Sequence, residues 1–393
     1  MIEEYTKKIT EICRAVILGE ENLDIDSVFE TASDINFFSF CMSHKLEGMV
    51  YEYLKRIGKA DTNVKAIAYF KDKYNQGILN NAAQQYYFEM VKDAFEKEGI
   101  DYIPMKGMIM KKLYPSADLR CSSDIDIYVG KENAEKCKPI MEEMGFVNSS
   151  FGDLHPSDNY RIDKFSYIEL HRKLINNKYK WQNECNKITD RIINKRGHEY
   201  VMSDEDFYIF MVCHIAKHVS FGGSGIRAVL DVWIYLNKFP NLNYGYINDI
   251  LEKCDLTEFH KNLIELTRYW FDNKEASEKI KKLSTYIAKS GWNGIEEQFE
   301  SAQVNEIAGI ESSRTILKLK SYIYAMFMTR EFMEDRYKIL KKYPFLLPYF
   351  YVKRAVNAVF NRRDTIKGVL HSQDNVNLEK AQEINKFRKS LGL

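Results

Sequence analysis

The sequence Ser-Asp-Ile-Asp-Ile-Tyr-Val at residues 123–129 alternates polar and apolar side chains with the period of a β-strand. Successive side chains of a strand point to opposite faces, so Asp124 and Asp126 share one face while the aliphatic residues point into a core. Neighbouring carboxylates repel one another unless a cation lies between them. Their oxygens suit Mg²⁺, which binds through one or two carboxylates together with water and phosphate oxygens. The alternative is an edge strand whose acidic face is solvated.

A turn from strand to helix is predicted just upstream. Residues 99–104 have the pattern of a short strand that runs into Lys106 and Gly107, and residues 108–114 have helical composition. A glycine at such a turn lets the backbone approach a phosphate, and the N–H groups at the start of the helix favour an anion. Because Lys106 adds a positive charge, the turn is a candidate phosphate-binding element.

A third carboxylate follows downstream. Residues 165–171 alternate again, and Glu169 lies between apolar neighbours. On a strand, those neighbours would point into the core and Glu169 to the opposite face. The chain thus carries a glycine turn, an Asp-x-Asp strand and a later acidic strand, in that order.

These elements together resemble the nucleotidyltransferase superfamily that includes DNA polymerase beta. A closer similarity is to the bacterial family of uncharacterised nucleotidyltransferases, whose hallmark is Leu-Lys-Gly, Leu-Tyr-Pro, Arg and Asp-Ile-Asp in that order. The matching segments are residues 105–107, 113–115, Leu119-Arg120 and 123–129. Met105 replaces the usual leucine, and Met108 stands where the superfamily has a serine that helps to hold the triphosphate.

The resemblance implies an α+β fold, in which a small mixed β-sheet nucleotidyltransferase core is flanked by N-terminal and C-terminal helical regions. It implies Mg²⁺, or Mn²⁺ in its place, as the cofactor. The implied catalytic and metal-binding residues are Asp124, Asp126 and Glu169. The implied nucleotide-binding residues are Lys106, Gly107, Arg120, Ser123, His218 and Arg227.

The reaction implied is transfer of a nucleoside monophosphate from a nucleoside triphosphate such as ATP, with release of pyrophosphate. The acceptor would be a hydroxyl or similar group on a small molecule or a protein. Two alternatives stay open. One is a non-catalytic nucleotide-binding or interaction protein on the same fold, such as an antitoxin or an assembly factor. The other is a metal-dependent phosphoesterase.

Composition restricts the class of protein. Of 393 residues, 45% are hydrophobic and 29% charged, which is the balance of a globular protein. The net charge of +1 argues against a protein-wide nucleic-acid surface, so we expect no sequence-specific nucleic acid partner. The seven cysteines form no C-x-x-C pair, which is typical of reduced thiols. An acidic N-terminus and the lack of a long apolar run predict a cytoplasmic protein.

We expect four regions along the chain. They are an N-terminal helical region at 1–98, the catalytic module at 99–202, a helical bundle at 203–337 and a basic, aromatic tail at 338–393. Helical periodicity places helices at 2–18, 33–57 and 64–98 within the first region.

Charged groups recur on two helices of the bundle. His214 and His218 lie four residues apart, and Arg227 and Asp231 repeat that spacing on the next helix. Together with Lys217, these residues resemble a second block of the family, so the charged groups are expected to line the cleft. A purely structural Arg227–Asp231 ion pair is the competing interpretation. On an N-terminal helix, His44 is a further candidate for the cleft lining.

The tail segment 338–363 has no acidic residue and places aromatic side chains beside basic ones. Such a composition suits a helix that lies on an anionic membrane surface. It suits equally a helix packed on the bundle with its basic ends in water, and we favour the second interpretation.

Overall fold

The chain has the predicted α+β architecture. A mixed β-sheet is preceded and followed along the sequence by helices. The computed structural model describes residues 1–152, 155, 157–175, 179–292, 294–309, 313–327, 330–361 and 376–393. The chain divides into two compact units. The first comprises residues 1–219, 223–294 and 392–393, and the second comprises residues 220–222 and 295–391.

Five strands form the main sheet of the first unit, in the order β1-β2-β5-β4-β3. Their bounds are Ile103–Pro104 (β1), Ile125–Tyr128 (β2), Val147–Ser150 (β3), Asp158–Arg161 (β4) and Ile168–His171 (β5). The central pair, β2 and β5, is parallel, and the other neighbours are antiparallel. The predicted Asp-x-Asp strand and the later acidic strand are therefore direct neighbours.

A second ribbon pairs Ile193–Arg196 (β6) with Glu199–Val201 (β7). It joins the main sheet beside β1, because the N–H of Tyr102 donates to the carbonyl of His198 at 3.0 Å and the N–H of Tyr200 donates to the carbonyl of Tyr102 at 2.9 Å. The sequence predicted β7 but not β6, whose residues are all exposed and carry no apolar alternation.

Most of the described helices precede residue 294. Their bounds are Ile2–Leu18 (α1), Ile25–Ala32 (α2), Ile35–Ser43 (α3), Glu47–Arg56 (α4), Lys65–Glu98 (α5), Gly107–Met110 (α6), Gly130–Glu143 (α7), Gln182–Asn186 (α8), Asp204–Phe221 (α9), Ile226–Lys238 (α10), Tyr244–Lys253 (α11), Thr257–Phe271 (α12) and Glu278–Ser290 (α13).

Helices α1 and α5 confirm two of the three N-terminal predictions. Each ends at a glycine in the left-handed region, Gly19 at φ 73° and Gly99 at φ 67°. The single helix predicted at 33–57 is wrong, since α3 and α4 are separated at Lys45, which has a φ of 56°. Because neither glycine nor proline marks this break, the helical periodicity of the sequence continues across it and predicts a single helix.

The apolar face of the sheet packs against α5 and α7, as the alternating pattern predicts. Its core includes Ile125, Ile127, Ile168 and Leu170 from the parallel strands, with Phe88, Val91 and Phe95 from α5 and Ala134, Cys137 and Met141 from α7. The polar residues between these positions therefore lie on the opposite face, where Asp126 is the register partner of Glu169.

The second unit is helical in its described parts. Its helices are Glu296–Ala308, Arg314–Met326, Arg330–Arg336, Ile339–Lys342, Leu347–Asn361 and Leu378–Ser390. Within the predicted tail, Leu340 and Phe350 are buried with Met333, so part of this segment packs on its own unit. Arg362 and Arg363 lie outside the described residues. Membrane contact by the exposed Phe345 and Tyr349 stays a prediction. Across the described residues, none of the helices has the length and apolar character needed to cross a bilayer.

Candidate active site

A cavity of about 410 Å³ adjoins the polar face of β2 and β5. The structure brings to its lining the nine residues to which the resemblance assigned a catalytic, metal-binding or nucleotide-binding role: Asp124, Asp126, Glu169, Lys106, Gly107, Arg120, Ser123, His218 and Arg227. The individual roles assigned to these residues stay predictions. Sheet, glycine turn, α9 and α10 together form the walls.

Asp126 and Glu169 are held side by side by the register of the parallel strands. Two residues beyond Glu169, His171 places its Nε2 2.7 Å from Asp126 Oδ1 and 3.5 Å from Glu169 Oε2. One ligand atom from each of these three residues lies within 4.8 Å of the others, so the cluster could hold a metal ion. Sequence reasoning missed His171, although its position on the same strand face as Glu169 was a usable signal.

Burial and mutual repulsion act on the two aspartates. Burial raises the pKa of Asp124, and the negative charge of Asp126 raises it further. Burial also opposes ionisation of Asp126, but the charge of Lys106 and the hydrogen bond from His171 outweigh it and hold the pKa of Asp126 below its ordinary value. Acids that are crowded and desolvated in this way are stabilised by a nearby cation.

Lys106 supplies that cation in the structure. Its Nζ lies 2.6 Å from Asp126 Oδ1, and the charges of the two aspartates raise the pKa of the lysine against the effect of burial. The backbone of Lys106 has a φ of 39° and a ψ of −104°, a conformation that side chains with a Cβ rarely adopt. Such strain is characteristic of functional sites, where the surrounding structure enforces it.

Arg120 is buried and makes a two-pronged ion pair with Asp231 on α10. Its Nε donates to Oδ1 at 2.9 Å and its Nη2 to Oδ2 at 2.7 Å, while the hydroxyl of Tyr114 donates to Oδ1 at 2.8 Å. The structural pair expected between Arg227 and Asp231 is therefore wrong: Asp231 pairs with Arg120, and Arg227 donates to the carbonyl of Cys121. Spacing of four on one helix did not identify the partner, which comes from a distant loop.

The glycine of the turn is required by close packing. A Cβ at Gly107 would lie 3.1 Å from Nη1 of Arg120 and 3.3 Å from the hydroxyl oxygen of Ser122. Since both neighbours are themselves held by hydrogen bonds, any larger residue would displace the guanidinium or the turn. The third guanidinium nitrogen of Arg120 thus faces the glycine turn.

Helix α9 contributes groups of different charge. The ammonium of Lys217 lines the cavity and has no hydrogen-bond or ion-pair partner among the described residues. Burial lowers its pKa to about 8, and the charge of Lys106 contributes in the same direction. Burial lowers the pKa of His218 to about 3, so that His218 is neutral near pH 7, and its Nε2 lies 3.2 Å from Nε2 of His214. Lys217, which belongs to the run of charged groups expected to line the cleft, is therefore the cation that α9 presents.

His44 does not line the cavity. It is fully buried, its Nδ1 accepts from the N–H of Ile226 at 3.2 Å, and its Nε2 lies 3.1 Å from the carbonyl of Ala288. The adjacent Lys45 does line the cavity, together with Trp292, and neither was predicted. A break between α3 and α4 that periodicity did not reveal is what turns Lys45 toward the site.

No curated protein and no solved structure matches the chain. A family model described as an uncharacterised nucleotidyltransferase matches residues 33–272, a stretch that includes the whole cavity lining except Trp292. The chain therefore belongs to this family of uncharacterised nucleotidyltransferases.

Proposed function

We propose that the protein is a Mg²⁺-dependent nucleotidyltransferase, which moves a nucleoside monophosphate from a nucleoside triphosphate to a hydroxyl or similar acceptor and releases pyrophosphate. The observation that carries the proposal is the placement of three carboxylates in one cavity: those of Asp126 and Glu169 lie on neighbouring parallel strands, and that of Asp124 directly precedes β2. Membership of the nucleotidyltransferase family supports it.

The donor set fits divalent metal ions. Carboxylate oxygens are the ligands that Mg²⁺ and Mn²⁺ favour, and a cation offsets the burial and the neighbouring negative charge that raise the pKa of Asp124. Asp124, Asp126 and Glu169 would hold the ions, and His171 would orient the carboxylate of Asp126 through its hydrogen bond. When bound, such ions neutralise the triphosphate and lower the pKa of an acceptor hydroxyl.

Lys217 is the strongest candidate for a direct contact with the triphosphate. Lys106 and Arg120, which the resemblance put forward for this role, each already pair with an aspartate. The ammonium of Lys217 faces the same cavity and has no such partner in the described parts of the chain, and an unpaired, desolvated lysine gains most from an incoming anion. Gly107, Ser123, His218 and Arg227 line the remaining wall and stay proposed nucleotide contacts.

Glu169 is the proposed base for the acceptor. Its Oε2 lies 3.4 Å from the hydroxyl of Ser157 and 3.5 Å from Nε2 of His171, distances at the long end for hydrogen bonds. The carboxylate also lines the cavity. A carboxylate in this position can take the proton of an attacking hydroxyl. Ser157 and His171 would then fix its orientation.

The test is a transfer assay. The wild type is supplied with labelled nucleoside triphosphates, Mg²⁺ and a cell extract as acceptor source, and products are identified by mass spectrometry. We expect pyrophosphate and a nucleotidylated product, lost in Asp126→Asn and kept in Asp249→Asn, whose carboxylate is exposed on α11. Free nucleotide without an acceptor adduct would instead establish a phosphoesterase, and binding without turnover would establish the non-catalytic alternative.

A further inference from the structure

Trp292 is the one large aromatic side chain of the cavity wall that is substantially exposed. Its exposed fraction is 40%, whereas Trp181, Trp233 and Trp270, the other tryptophans of the chain, are 2%, 4% and 5% exposed. It follows α13 and lies outside the residues matched by the family model. The ammonium of Lys45 covers one face of the indole, and the surface that stays exposed in a wall of charged groups requires a reason, because its burial would be favourable.

The backbone beneath this side chain is tightly fixed. The N–H of Trp292 donates to the carbonyl of Ser43 at 2.7 Å. A Cβ at Gly291 would lie 2.8 Å from that same carbonyl, and a Cβ at Gly225 would lie 3.1 Å from the nitrogen of Trp292. Three chain segments therefore meet in close contact, and two of them use glycine to do so.

His44 fastens these segments together. Its Nδ1 accepts from the N–H of Ile226 at 3.2 Å, which leaves Nε2 as the donor to the carbonyl of Ala288 at 3.1 Å. Because burial lowers the pKa of His44 to about 4, the ring stays neutral and keeps this pattern across the physiological range. Trp292 thus projects from a rigid junction, although it lies in a connecting segment.

Lys45 links the indole to the acidic strand. Its Nζ lies 3.4 Å from the centroid of the Trp292 ring and 3.2 Å from the hydroxyl oxygen of Ser123, the residue before Asp124. A single ammonium group therefore spans from the aromatic ring to the loop that carries the first carboxylate.

We infer that Trp292 is the stacking platform for the base of the nucleoside triphosphate, through the ring face that Lys45 leaves uncovered, and that the phosphates extend from it past Lys45 toward the carboxylates. The inference rests on the proposed function. A ligand of phosphates alone would need only the cations, whereas a nucleotide adds a flat heteroaromatic ring that stacks on an exposed aromatic side chain. Stacking of this kind tolerates different bases.

The tryptophan composition makes the inference directly measurable. Trp292 is the exposed tryptophan among four, so a ligand that stacks on it should quench the accessible part of the intrinsic fluorescence. ATP, GTP, CTP and UTP are each titrated with Mg²⁺, and inorganic tripolyphosphate with Mg²⁺ serves as the ligand without a base. We expect quenching by at least one nucleotide and none by tripolyphosphate, although both bind by calorimetry.

Substitution separates stacking from folding. Trp292→Ala should weaken binding of the quenching nucleotide by about ten-fold or more and leave the affinity for tripolyphosphate unchanged. Trp292→Phe should restore most of the affinity, since it keeps an aromatic face. Tyr86→Ala is the matched control: Tyr86 is 65% exposed on α5, away from the cavity lining, and its loss should change neither affinity.

Three results would overturn the inference. Unchanged nucleotide affinity in Trp292→Ala would remove the stacking role and leave the proposed function intact. Equal losses for nucleotide and tripolyphosphate, without rescue by phenylalanine, would make Trp292 a structural residue. If the wild type binds neither nucleotide nor tripolyphosphate, the proposed function itself is rejected, and the inference with it.

Discussion

Two buried ion pairs lie in the same cavity wall and differ in how completely they are closed. Arg120 and Asp231, with side chains 6% and 8% exposed, share two hydrogen bonds, and Tyr114 occupies a further lone pair. Lys106 and Asp126, 20% and 4% exposed, share one contact at 2.6 Å, and the same carboxylate oxygen also meets His171. The first pair is saturated, whereas the second belongs to a cluster with an excess of acids.

The difference separates structural from functional electrostatics. A closed pair satisfies its own charges, so removal of one partner leaves a buried, uncompensated charge and costs folding free energy. An open pair in a crowded acidic cluster leaves charge that an external cation can compensate. The two pairs are therefore expected to respond oppositely to substitution, the first in stability and the second in ligand binding and turnover.

Asp231→Ala should give the largest effect, and it should be on stability. Loss of the carboxylate leaves the guanidinium of Arg120 buried without its partner, which costs about 3–5 kcal/mol in the free energy of unfolding. Chemical denaturation followed by circular dichroism would measure it. The double variant Asp231→Ala/Arg120→Met should recover part of the loss, because no unpaired charge remains. A double variant less stable than the single one would show that the pair is not the cause.

Glu169→Gln tests the open cluster. The glutamine keeps the size of the side chain but loses the charge and the base, so turnover should fall by about 10²-fold or more. The dissociation constant of the nucleotide should change little, since the triphosphate is held by other groups. Single-turnover kinetics and calorimetry separate these quantities. Full activity in the glutamine variant would remove Glu169 from the chemistry, and a matching loss in Glu184→Gln, outside the cavity, would point to a nonspecific effect.

Much of the open cluster could be predicted from sequence, because strand periodicity alone places side chains on faces. Alternation at 123–129 and 165–171 predicted the two strands and placed Asp126 and Glu169 each opposite the apolar residues of its own strand, although only the structure shows that the strands are parallel neighbours. The closed pair could not be predicted. Arg120 and Asp231 are 111 residues apart, and the local spacing suggested Arg227 as the partner instead.

Breaks in local pattern account for most of what the sequence left out. The turn at Lys45 has a positive φ without a glycine, and it brings an unpredicted lysine against Trp292. Trp292 itself lies beyond the region of family similarity, and no periodicity distinguishes it from the buried tryptophans. The sequence predicts the types of most elements, but it does not predict long-range contacts between individual side chains.

Lys217→Met should sharpen the contrast between paired and unpaired cations of the wall. The methionine keeps the apolar stem and removes the ammonium, so affinity for the triphosphate should fall by about ten-fold, the lower end for a hydrogen bond to a charged group. Affinity for the corresponding nucleoside should be unchanged. Calorimetric titration of both ligands measures the two effects. Lys187→Met, on an exposed lysine that pairs with Glu184, is the control and should change neither affinity.

The smallest expected effect is the pH dependence of triphosphate affinity, which follows from the same lysine. Burial lowers the pKa of Lys217 to about 8, so its ammonium is mostly protonated at pH 7 and mostly neutral at pH 9. Since the anion binds the protonated form, affinity is retained below the pKa and is lost as the pH rises through it, by at most about ten-fold between pH 7 and 9. Binding of the triphosphate raises the pKa, so the loss of affinity begins near pH 8 and ends at the higher pKa of the lysine in the complex. Titrations across this range should show the decline in the wild type and a flat profile in Lys217→Met; an equal decline in both would assign the titration to another group, such as Lys45, whose pKa burial also lowers to about 8.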